Sequence, residues 1–142
     1  MPTLPNRLNT TKILLSLCLA TFGVMVPVLE IGPTHVFNPE WPEHARLHEV
    51  WQLITNCGFA ALALWLTWVK RNVRMASGIG LIIVGGFLGS FVIRSSYGGS
   101  MRHTDGTELT IAGANSAVLV MVVAATILGF IFWRNRRPVD QP

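Results

Sequence analysis

The chain has 142 residues, of which 51% are hydrophobic and only 13% charged, with a formal net charge of +4. A soluble domain carries roughly 25% charged residues, so this composition excludes an ordinary water-soluble enzyme and points to an all-α integral membrane protein. The basic excess is explained below by membrane topology, which leaves no reason to invoke nucleic acid.

Four apolar runs, at residues 12–31, 49–69, 75–95 and 109–133, approach or exceed the roughly 20 residues that a helix needs to cross a bilayer. Little remains for a soluble part. The expected fold is therefore one transmembrane domain over residues 1–142, a four-helix bundle with a structured, Pro-rich outer loop.

The polar stretch up to Thr11 reads as a disordered start. The first run follows Arg7 and Lys12, as a signal peptide would, but no small-x-small cleavage site follows the apolar stretch before Glu30, and the run is read as a span. Pro27 lies one turn before its outer end and is expected to kink or loosen that turn. Glu30 is then offered near the interface, as a functional group or as the partner of Arg94.

Placing both termini in the cytoplasm puts eight of the eleven basic residues there: Arg7, Lys12, Lys70, Arg71, Arg74, Arg134, Arg136 and Arg137. The same choice puts all four histidines and six of the seven carboxylates on the outer side, with Asp140 alone inside. The expected location is a bacterial inner (plasma) membrane, with the chemistry extracytoplasmic.

Between the first two runs lies Thr34 to Gln52, THVFNPEWPEHARLHEVWQ, which holds three of the four histidines. Pro33, Pro39 and Pro42 stiffen this loop, so holding it as a cap costs less entropy than a Gly/Ser loop would. Phe37 and Trp41 suit either such a cap or simple anchoring at the headgroups. A second helix is expected from Pro42 to about Arg71.

At about 100° per residue, His44, His48, Trp51 and Thr55 share one face of that helix, with Gln52 beside it and Arg46 opposite. A polar stripe entering lipid is expected to face the bundle interior. His-x-x-x-His is metal-ligand spacing, and His35 and His103 on the same side extend the ligand set to His35, His44, His48 and His103. The zinc-protease motif itself is missing, because no Glu follows the first His directly. Imidazole with carboxylate suits a divalent Zn, Fe or Cu ion. A metal-free reading uses His44, His48 and Glu30 as acid and base against a lipophilic small molecule bound by His35, Asn38, Trp41, Trp51, Gln52, Arg94 and Tyr97. A third reading is a hydrogen-bonded cluster that merely ties the loop to the helices.

The third run contains two small-xxx-small pairs, Gly85 with Gly89 and Gly86 with Ser90. Such pairs let backbones approach closely, more often against an internal neighbour than against another protomer or a larger complex. The second outer loop, SSYGGSMRHTDGTE, brings Tyr97, Arg102, His103, Asp105 and Glu108 to the outer face. Asn115 and Ser116 are expected near the outer end of the fourth helix. Cys18 and Cys57 form no Cys-x-x-Cys pair, which disfavours a thiol oxidoreductase.

The string THVFNPEWPEHARLHEVW, preceded by Glu30, resembles the signature of a family of small four-span integral membrane proteins. There an acidic residue, Thr-His, Phe-Asn-Pro, Trp-Pro and His-Ala precede the second span. The resemblance covers about twenty residues in detail and marks Thr34, His35, Phe37, Asn38, Pro39, Trp41, Pro42, His44 and Ala45, with His48 one turn on. It implies a His site on the outer face and brings no established activity. In layout alone, the chain is also similar to sterol-isomerase-like and DoxX-like bundles.

Two functions are therefore open: a His- and carboxylate-rich site for a metal ion or lipophilic molecule, or a non-catalytic accessory subunit docked through the Gly-rich third helix. The first expects His35, His44 and His48 to converge. The second expects an exposed small-residue groove.

Overall fold

The computed structural model describes residues 5–135. The side chain of Arg7, together with Arg136, Arg137 and Asp140, lies outside the described residues. Four helical segments, Asn9–Glu30, Glu43–Trp68, Val73–Ser96 and Ser116–Arg134, are long and apolar enough to cross a membrane.

The first segment starts earlier than its hydropathy suggests. Helix α1 runs Pro5–Ala20, through the polar stretch expected to be disordered. It is held there by α3 (Glu43–Trp68), whose Trp68 donates its indole N–H to Ser16 at 3.0 Å. Lys12, 6% exposed, lays its ammonium over the same Trp68 ring at 5.2 Å.

After Ala20 the chain makes one π turn, Thr21–Met25, before resuming as α2, Val26–Glu30. Pro27 accounts for the irregularity, since it has no amide hydrogen to give the carbonyl of Gly23 four residues earlier. Cys57 of α3 donates its thiol to that carbonyl at 3.4 Å. The helices can meet here because residue 23 is glycine; a Cβ at this position would overlap the Cβ of Ala60.

That close approach fixes how α3 is rotated. Its buried stripe is Leu53, Ala60, Ala63, Leu66 and Thr67. Continued upward by threes and fours, the stripe reaches half-buried Glu49 and Arg46. The upper part of the expected polar stripe is on the other side: His44, His48 and Gln52 are exposed and Trp51 is 64% exposed, while Thr55 further down is half-buried. The expectation that this face lines the bundle interior is therefore corrected. The small residues Ala60 and Ala63, not the His face, allow the helix to pack.

Arg71 has a left-handed φ of 54° in the link to α4, Val73–Ile93. Asn72 caps that helix by accepting the Met75 amide at 3.1 Å. The internal glycine contacts of α4 are Gly80, against Leu128 and Leu19, and Gly78, against Phe132. The two small-xxx-small pairs pack nothing internal: Gly85, Gly86, Gly89 and Ser90 are exposed, and a Cβ at any of the three glycines would meet no atom within 4 Å.

The fourth span also needs correction. Residues 109–115 form no helix but a hairpin, β1 Thr110–Ile111 against β2 Ala114–Asn115, with Thr110 opposite Asn115 and Ile111 opposite Ala114. Its two turn residues, Ala112 and Gly113, have φ of 50° and 82°, the mirror-image turn that matches strand twist. Helix α5, Ser116–Arg134, starts only where the Asn115 side chain accepts the amides of Ala117 and Val118.

Leu15, Leu19, Phe22, Val84 and Leu128 fill the centre, all at most 1% exposed. The buried hydroxyls beside them are satisfied within their own helices, Thr67 by Ala63 O at 2.7 Å and Ser77 by Arg74 O at 2.9 Å.

Candidate functional site

The loop after α2 turns back at once on the helix that precedes it. Gly32 and Val36 both give their amides to the Glu30 carbonyl, at 2.9 and 3.1 Å, and Phe37 gives its own to Gly32 O. This fold-back returns His35 to the end of α2. Its Nε2 lies 2.8 Å from the Glu30 carboxylate, with the two side chains 21% and 25% exposed. Its Nδ1 lies 3.0 Å from the Thr34 hydroxyl. One tautomer satisfies all three groups: Nε2–H donates to Glu30 while the Thr34 hydroxyl donates to Nδ1.

Two more rings enclose the imidazole, each edge-on: Trp41 at 5.3 Å and His103 at 5.1 Å. Glu49, from the buried stripe of α3, interacts electrostatically with Glu30. A carboxylate at 2.8 Å would by itself strengthen proton binding at His35. Burial, and after it the neighbouring His103, act the other way and prevail, so His35 holds its proton less readily than a free imidazole.

Asn38 keeps this loop in place and is 2% exposed. Its amide nitrogen donates to Thr34 O at 3.2 Å and to the Thr104 hydroxyl at 3.3 Å, and its amide oxygen accepts the Glu40 amide at 2.9 Å. Its backbone carbonyl takes Arg46 at 3.3 Å. With these bonds formed, Asn38 is a knot joining the loop after α2 and the loop that carries Thr104 to α3. Arg46, turned away from the His44 face as expected, serves the same knot.

The four histidines divide into two sets. His44 and His48 approach Nε2 to Nε2 at 3.0 Å, with their ring centroids 4.5 Å apart and Trp51 5.7 Å beyond His48. This pair lies on the exposed face of α3, whereas His35 and His103 lie under the loop. Among the described residues, no three His, Cys, Asp or Glu side chains are arranged to hold a metal ion. The expected convergence of His35, His44 and His48 is therefore not met, because the rotation of α3 turns two of them outward.

Arg94 does not pair with Glu30. It bends over Phe91, 4.1 Å from the ring centroid, and donates to the Phe91 carbonyl at 2.8 Å. Tyr97 folds back to give its hydroxyl to Ser90 O at 3.0 Å. Arg94 instead lines a separate cleft of about 400 Å³ with Arg102, Glu108 and Asn115. There Glu108 accepts Asn115 at 3.1 Å and faces Arg102 at 3.6 Å. Asp105 serves its own turn: bonds from the Thr107 hydroxyl, foremost, and the Thr107 amide hold its carboxyl below the usual range.

Of the expected site residues, Glu30, His35, Trp41 and His103 come together. His44, His48, Trp51 and Gln52 stand apart on the outer face of α3, and Asn38 is structural. Sequence reasoning missed Thr34 as a partner, Glu49 and Thr104. Glu49 could have been found by running the stripe of Ala63, Ala60 and Leu53 back towards the helix start; nothing local marks Thr104.

The assembled group is a carboxyl, an imidazole and a hydroxyl in one hydrogen-bonded line, half-buried at one end of the bundle. It can accept a proton at His35 and stabilise the resulting imidazolium through Glu30. Compared with protein-family models, with curated proteins and with solved structures, the chain finds no match.

Proposed function

We propose that this is an integral membrane protein with both termini cytoplasmic, whose outer end carries an acid–base site for a lipophilic small molecule. The observation that supports it best is the half-buried line Glu30–His35–Thr34. His35 is the base, Glu30 its electrostatic partner, and Thr34 the hydroxyl that sets the tautomer. Trp41 and His103 form the walls. The four-span layout and the twenty-residue resemblance agree with this reading.

The test compares wild type, His35→Gln and Glu30→Gln, purified in mild detergent and extracted with organic solvent. Mass spectrometry should find one amphiphile retained by the wild type in near-stoichiometric amount and changed in amount by either substitution. Identical profiles of bulk phospholipid in all three would refute the site. A metal reading narrows to His44 and His48, a two-donor chelate needing water or a further ligand. Elemental analysis of wild type beside His44→Ala/His48→Ala decides it.

A second reading, an accessory subunit docked on a larger complex, is favoured by the open glycine face of α4. It expects Gly85→Leu/Gly89→Leu to lose a partner on native gels while the His35 site is unaffected.

A further inference from the structure

At the other end of α3, 26 residues or about 40 Å from the His35 site, the link to α4 opens into a cleft of about 530 Å³. Lys70, Arg71 and Arg74 line it, with Asn72, Phe132 and Asn135. Two of the cations are held in place by rings: Arg74 lies 4.9 Å from the centroid of Phe132, and Lys70 lies 4.9 Å from that of Trp65. The left-handed backbone at Arg71 turns the chain between them.

No carboxylate neutralises this group among the described residues. The ion pairs found there, His35 with Glu30 and Arg102 with Glu108, are both at the opposite end. Asn72 takes the Met75 amide, so the first amides of α4, at Val73 and Arg74, have no hydrogen-bond acceptor among the described residues. Three cations around a concave space with spare N–H donors call for an anion rich in acceptor oxygens.

We infer that this cleft binds a phosphate group, that of an anionic phospholipid headgroup. The surroundings favour the lipid as its source. Trp65, Trp68 and Trp133 are 45%, 47% and 61% exposed around the same end, the level at which indoles settle between headgroups and acyl chains. Phe132 adds an aromatic ring to the lining. A basic cleft between helix ends, beside such a belt, suits a headgroup whose chains run down the outside of the bundle. The inference does not depend on the His35 site.

The experiment is native mass spectrometry of the full chain in detergent, titrated with phosphatidylglycerol, with phosphatidylcholine and with inorganic phosphate. Phosphatidylglycerol should be retained in preference to phosphatidylcholine. Lys70→Gln/Arg71→Gln/Arg74→Gln should weaken it about a hundredfold, at about fivefold per charge. Arg94→Gln/Arg102→Gln, which removes charge from the other end, should leave it unchanged. Helical content by circular dichroism checks that the triple variant folds; if it does not, Arg71→Gln alone should cost about fivefold.

Equal retention of the two lipids would overturn the inference, as would a triple variant that still holds phosphatidylglycerol as wild type does. Inorganic phosphate that binds alone and displaces the lipid at millimolar concentration would overturn the lipid assignment.

Discussion

Replacing Asn38 by Ala should release the loop that presents His35 without unfolding the helices. The side chain makes three hydrogen bonds from a position 2% exposed. A net value of about 1 kcal/mol each gives about 3 kcal/mol. The bonds to Thr34 and Thr104, at 3.2 and 3.3 Å, are long, and Thr104 is exposed enough to find water. The expected loss is therefore about 2 kcal/mol, or about thirtyfold in the opening equilibrium.

Hydrogen exchange with peptide-level readout measures this directly. Residues 31–42 and 99–108 should both exchange about thirtyfold faster, because Asn38 joins the two loops, while α4 and α5 stay as protected as in wild type. Asn38→Asp keeps the acceptor for Glu40 but loses both donors, so its effect should be smaller at 38–40 and equal at Thr104. Acceleration confined to residues 38–40, with the second loop untouched, would refute the view that Asn38 ties the loops together.

Gly23→Ala should lower stability by about 1–3 kcal/mol, because its Cβ overlaps Ala60 and forces α3 away; Gly85→Ala, in open space, should be neutral, and unfolding in graded denaturing detergent compares the two. The pH dependence at His35 follows from its weakened proton affinity. The unfolded imidazole protonates near its ordinary value of 6.5 and the folded one only below it, so this imidazole's own contribution to loop stability is present above about pH 6.5 and is lost as pH falls. The ring ¹⁵N shifts of His35 followed between about pH 7.5 and 5 check this, and a titration at or above 6.5 would contradict it. His44→Ala should leave the His35 titration, followed by its ring ¹⁵N shifts, where it is in wild type; a displaced titration would mean that the two histidine pairs are coupled.

Hydropathy alone located the four long apolar helices, because length and apolarity are properties of the chain that need no neighbours. The loop was legible too: Gly32-Pro33 stops α2, and Pro42 precedes α3. Three things waited for the tertiary structure. The rotation of α3 was misread, because its apolar residues surround it nearly evenly and the choice falls to shape. Gly23 admits Ala60, and that contact turns Glu49 inward and His44 and His48 outward. Of the two roles open to Glu30, pairing with Arg94 fails because a charge-matched Arg94 far along the chain competes poorly with a His35 that a five-residue fold-back delivers. The start of α5 was misread because residues 109–115 are apolar enough for a helix but carry Ala112 and Gly113 at positive φ, and hydropathy carries no information about backbone angle. Apolarity is a property each residue has alone; which face meets which depends on where small side chains let two backbones touch, and only the packed bundle decides that.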